Sequence, residues 1–124
     1  MEFSMRFVNQ FMEFSFLQKA RNSAVQDWGE DIPMTVLFSI LGKGMAENFA
    51  QLSPSSRSRI FHLIEEGINS PDDELCTAVA TGLLEALDNS ISGNLEIKNN
   101  VYLELGPSSK KYLLDFSLWH ESEK

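Results

Sequence analysis

Residues 53–91 read SPSSRSRIFHLIEEGINSPDDELCTAVATGLLEALDNSI. Their spacing predicts two helices joined by a tight break. Ser53-Pro54 and Ser70-Pro71 are two copies of one device. A serine accepts a backbone N–H bond at a helix start, and the proline takes the first helical position, where no N–H is needed. Asp72, Asp73 and Glu74 follow the second copy. They fall in a first turn, where the positive end of the helix dipole favours carboxylates. In the first helix Ile60, Phe61, Ile64 and Ile68 share an inward face. His62, Glu65, Glu66 and Asn69 lie on the opposite stripe. Gly67 and Asn69 suit the closing turn, where a left-handed residue is common. In the second helix Leu75, Cys76, Val79, Leu83, Leu87 and Ile91 recur on the buried face. Glu74, Thr77, Thr81, Glu85 and Asp88 follow one another at steps of three and four, and so line one exposed ridge.

Working outward toward the N-terminus, residues 4–24 predict one helix with a wide apolar surface. Phe7, Phe11 and Phe14 share a face, with Val8 and Met12 beside it. Phe14 and Phe16 cannot both enter one narrow stripe, so one of them packs against another segment or a partner. Residues 22–31 read as a connection, with Trp28 folding back over the core and Asp31 capping the next helix. From Met34 to Leu52, helical spacing is sustained for about five turns. Gly42 and Gly44 interrupt it at about 1 kcal/mol each relative to alanine, and allow a kink or a close approach of another helix. Gly42-Lys43-Gly44 lacks the spacing and preceding strand of a phosphate loop.

Toward the C-terminus, residues 89–93 form a break. In residues 95–105 the alternation of Val101, Leu103 and Leu105 suits a strand, and Leu95, Tyr102 and Leu105 suit a helix. A helix is favoured, since no second strand exists to pair with it. Gly106-Pro107 opens a last helix with Tyr112, Leu113, Phe116, Trp119 and His120 along one stripe, and residues 121–124 fray. The expected fold is all-α: one domain, residues 1–124, in a compact antiparallel bundle of about five to six helices.

The composition narrows the function classes. The chain has 124 residues and a formal charge of −8, from 18 acids against 10 bases. A nucleic-acid or anionic-membrane binder needs a basic footprint, so both are disfavoured. Cys76 is the single cysteine, so an internal disulfide and a thiolate metal cluster are excluded. The first residues lack a signal-peptide pattern and no run of 18 apolar residues occurs, which makes the cytoplasm the expected location. His62, Glu65 and Glu66 occupy adjacent turns, but a metal would need further ligands from elsewhere. Cys76 could meet His62 or His120 in space, yet an apolar setting keeps a cysteine inert. No serine sits in G-x-S-x-G. No catalytic residue, cofactor or metal is expected.

The charge distribution points instead to a protein partner. Between Ile60 and Leu105 lie nine acids, and Lys98 is the only lysine or arginine there. Such a face suits docking on a basic protein surface.

Residues 53–87, with LGPSSKKYL at 105–113, resemble the small all-helical bacterial immunity proteins found beside polymorphic toxins, including contact-dependent growth-inhibition systems. The likeness covers roughly the C-terminal two-thirds and rests on the acidic helix start, the Leu-Leu-Glu-Ala-Leu ending at Leu87 and the later Leu-Gly-Pro. It implies a cognate toxin, often a nuclease with a basic cleft, that is bound and kept inactive. The expected contact residues are Glu65, Glu66, Asp72, Asp73, Glu74, Glu85 and Asp88. The alternative is a helical adaptor or homo-oligomer that uses the aromatic N-terminal helix as its interface and has no toxin partner.

Overall fold

A serine cap and a proline at the first turn start the central helix as the sequence predicts. Ser53 Oγ accepts from the Ser56 N–H at 3.2 Å, and Pro54 opens the helix. The computed structural model describes the backbone of residues 2–29 and 31–122 and the side chains of residues 5–29 and 31–116. Among these the helices are α1 (Glu2–Phe11), α2 (Ser15–Trp28), α3 (Met34–Asn48), α4 (Pro54–Ile68), α5 (residues 73–91), α6 (Leu95–Glu104) and α7 (Pro107–Ser122). A 3-10 turn, Phe49–Gln51, prolongs α3. The all-α expectation holds, with seven helices rather than five or six and no strand among the described residues. Residues 95–104 are helical, started by Asn94 Oδ1 accepting from the Ile97 N–H at 3.1 Å.

The closest packing is between α3 and α5, with α2 on another side of α3. Helix α5 begins as an α-helix (Asp73–Thr77), passes through a π-helical stretch (Ala78–Leu84) and ends as an α-helix (Glu85–Ile91). The π stretch meets α3 at two small residues, Gly42 of α3 and Gly82 of the stretch itself. A Cβ on Gly42 would stand 2.3 Å from the Leu83 carbonyl oxygen, and one on Gly82 would stand 3.0 Å from that of Thr35. Two backbones therefore touch where side chains would normally separate them. The Ser39 hydroxyl lies 2.9 Å from the Thr35 carbonyl and 3.3 Å from that of Gly82, so its proton is shared between α3 and the π stretch.

Helix α1 closes the core from the other side. Phe7 and Phe11 meet edge to face at 5.0 Å, and Phe7 lies 5.5 Å from Phe38 of α3. Offset and edge-on contacts of this kind are the favoured aromatic geometries. Gly67 makes room for Phe7: a Cβ there would stand 2.5 Å from the ring.

Several local expectations are corrected. Residues 4–24 are not one helix. The chain turns at 12–14, with Phe14 extended, so the stripe of Phe7 and Phe11 and the later Leu17 all reach one core. Phe14 and Phe16 end half-buried, with their rings 6.2 Å apart. Trp28 is the last residue of α2 and is 57% exposed, so it does not fold back over the core. Pro33, not Asp31, precedes α3, and no side chain caps that helix. The second Ser-Pro copy is displaced by two residues. Ser70 Oγ accepts from the Asp72 N–H at 3.1 Å and shapes the turn, and Asp72 Oδ1 caps α5 by accepting from the Glu74 N–H at 3.2 Å. Asn69 closes α4 with φ −94°, not left-handed. The expected stripe positions Trp119 and His120 lie outside the described side chains; of the tail expected to fray, residues 121–122 still belong to α7 and residues 123–124 lie outside the described backbone.

Candidate interaction surface

Seven carboxylates were expected to contact a partner, three of them (Glu74, Glu85 and Asp88) on one exposed ridge, and the structure divides them. Glu65 points from α4 at the start of α7. It accepts from the Ser108 N–H at 2.8 Å, the Ser109 N–H at 3.0 Å, the Ser109 hydroxyl at 2.8 Å and the Asn69 amide at 3.2 Å. It is thus a helix cap supplied from a distant part of the chain, satisfying donors that a helix start leaves open. Burial alone would raise its pKa, but the bonds from Ser108 and Ser109 outweigh it and hold the carboxyl below its ordinary value. Gly106 makes this approach fit: a Cβ there would stand 2.4 Å from the carboxylate.

Asp88 is 6% exposed and accepts from the Tyr102 hydroxyl at 2.9 Å. Glu85 is half-buried and accepts a short bond from the Tyr112 hydroxyl. Burial, followed by that bond and the Glu85 charge, pushes the phenol pKa well up, so Tyr112 stays a donor. Glu65, Glu85 and Asp88 therefore hold α4 to α7, α5 to α7 and α5 to α6. They work inside the molecule.

The π stretch explains why Glu85 and Asp88 were placed on the outside. An i→i+5 turn adds a residue relative to an α turn. Steps of three and four stay in phase through Glu74, Thr77 and Thr81, which are exposed, and then fail. Beyond the π stretch the exposed positions are Asn89 and Ser90, one residue later than a regular helix would place them.

Glu66, Asp72, Asp73 and Glu74 remain. Glu66, Asp73 and Glu74 are exposed and Asp72 is half-buried. They sit together because α4 ends at Ile68 and α5 begins at Asp73, so a short turn makes one acidic tip of the two helix ends. Glu66 lies 3.0 Å from His62 Nε2. Among the described residues no lysine or arginine pairs with any of the four; Arg59 is paired with Glu13 and Lys111 with Asp115. An open groove runs beside the tip between α1, the end of α4 and the turn, with Arg6, Asn9, His62, Glu66, Ser70 and Leu75 along it.

Among the described residues, no three histidine, cysteine or acidic side chains are grouped to hold a metal ion, and no helix is long and apolar enough to cross a membrane. The Cys76 thiol is half-buried and donates to the Ile68 carbonyl at 3.0 Å, which ties the end of α4 to the start of α5. No protein-family model, curated protein or solved structure matches this chain.

Proposed function

We propose that the chain is an immunity-type inhibitor that binds a basic toxin domain, a nuclease in the simplest case, through the tip formed by Glu66, Asp72, Asp73 and Glu74. The observation that carries this reading is that four carboxylates share one end of the molecule and, among the described residues, none of them forms an ion pair with a lysine or arginine. Complementary charge speeds encounter and orients it, while buried anchors in the neighbouring groove supply affinity. A nuclease cleft is built to hold phosphates, and a compact set of carboxylates presents a similar charge. Glu65, Glu85 and Asp88 drop out as contacts, because each already has an internal partner.

Co-expression with the toxin encoded by the neighbouring open reading frame tests the proposal. Growth should be rescued, and the triple variant E66K/D73K/E74K, which leaves the Asp72 cap in place, should lose rescue while remaining folded. Growth arrest despite soluble parent protein, or full rescue by the triple variant, would remove it.

A second reading is an adaptor or homo-oligomer with no toxin partner. It draws support from Leu95 and Leu103 of α6, which are 72% and 80% exposed. The aromatic helix expected to form that interface is otherwise engaged, since Phe7 and Phe11 are core residues. A concentration-independent monomer mass in solution would dispose of the oligomer.

A further inference from the structure

A second cleft lies far along the chain from the acidic tip and has different chemistry. Helices α1, α2 and the start of α3 enclose a crevice of about 350 Å³. Val8, Val25, Ile32 and Leu37 line it, so its walls are apolar. Among the described residues, the polar side chains at it are those of Arg21 and Asn9. Arg21 is only partly exposed, and among the described residues it forms no ion pair and no hydrogen bond. A guanidinium carries five donors and a fixed charge, and among the described residues no protein acceptor meets them here. Arg21 lines the crevice beside its apolar walls.

We propose that this crevice binds a small amphipathic carboxylate, with its alkyl chain against Val8, Val25, Ile32 and Leu37 and its carboxyl group on Arg21. The two requirements select the ligand class together. Apolar walls reward an aliphatic chain by the area they remove from water. The planar guanidinium matches a carboxylate through two parallel N–H···O bonds. A neutral alcohol would satisfy the walls and leave the charge unmatched, and a cationic amphiphile would be repelled. The volume sits at the low end of ligand pockets, which run from roughly 300 to 1,000 Å³, and so suits a chain of about eight carbons rather than a long lipid. Asn9 beside the opening can donate an amide N–H to the same carboxylate. Asn9 lines both this crevice and the groove beside the acidic tip, but Arg21 and the apolar walls belong to the crevice alone, so their test is independent of the inhibitor reading.

Calorimetric titration with sodium octanoate, beside 1-octanol and octyltrimethylammonium, tests the proposal. Octanoate should bind saturably at one site and at least tenfold more tightly than either comparison compound. Arg21→Gln should remove that preference while leaving octanol binding and the thermal melt unchanged. Methyl chemical-shift mapping on the unaltered protein gives a readout that needs no variant, with octanoate shifting Val8, Val25, Ile32 and Leu37. Binding of octanol equal to octanoate, retained octanoate binding in Arg21→Gln, absence of saturation below the micelle concentration, or shifts on another face would each overturn it.

Discussion

Glu65 shows how far a residue's role can lie from its sequence neighbourhood. Read along α4 it is an exposed acid beside Glu66, and in space it caps a helix that starts more than 40 positions later. Glu65→Gln keeps an acceptor but loses the charge, and should cost about 1–2 kcal/mol in urea unfolding. The pH dependence follows from the lowered pKa. Its stabilisation is complete above the ordinary value of 4.5 and is lost as pH falls through the lower folded-state value, so Glu65→Gln should flatten the acid limb of stability against pH. Tyr112 titrates on the alkaline side in the opposite sense: its raised pKa keeps it a donor to Glu85 at all ordinary pH. Tyr102→Phe leaves the buried Asp88 carboxylate without that donor and should cost about 1–3 kcal/mol, measured by the shift in urea midpoint at unchanged m-value.

Helix α5 was legible in outline and illegible in phase. Its apolar recurrence announces a helix, and its acidic start was correctly placed in a first turn. The π stretch has no signature in residue type, because nothing in the composition of Ala78–Leu84 distinguishes a π turn from an α turn. What selects the wider turn is α3, whose Gly42 comes against the Leu83 carbonyl and whose Ser39 hydroxyl reaches the Gly82 carbonyl. Gly42→Ala tests this. The alanine gains about 1 kcal/mol in helix propensity. The clash with a backbone atom should cost more, about 2–3 kcal/mol, leaving a net loss in thermal unfolding. The same contrast holds for α1 and α2. Phe7 and Phe11 were placed together correctly, but the turn at 12–14 contains no proline or glycine to mark it. It forms because two apolar stripes must reach one core.

At the scale of the whole molecule, the bundle is dense in the middle and lightly attached at α6, where Leu95 and Leu103 face outward and only Val101 of that helix is buried. Leu103→Glu should therefore change stability by less than about 0.5 kcal/mol, as surface substitutions do. Phe11→Asp should unfold the chain rather than dissociate an oligomer, because Phe11 is fully buried and an uncompensated carboxylate would replace it. Circular dichroism separates the two outcomes. For the acidic tip, association with a basic partner should slow as salt rises from 50 to 300 mM, since exposed charges are screened over a Debye length.

The sequence alone determined that this chain is helical, where most of its helices run and which apolar residues fill its core, because those features follow from spacing within about four positions and from capping chemistry next door. Tertiary structure alone decided which acids face outward. Charge says nothing about where a carboxylate points, and the partners of Glu65, Glu85 and Asp88 are serines and tyrosines brought in from other helices. A local pattern cannot report a bond whose second half is elsewhere in the chain.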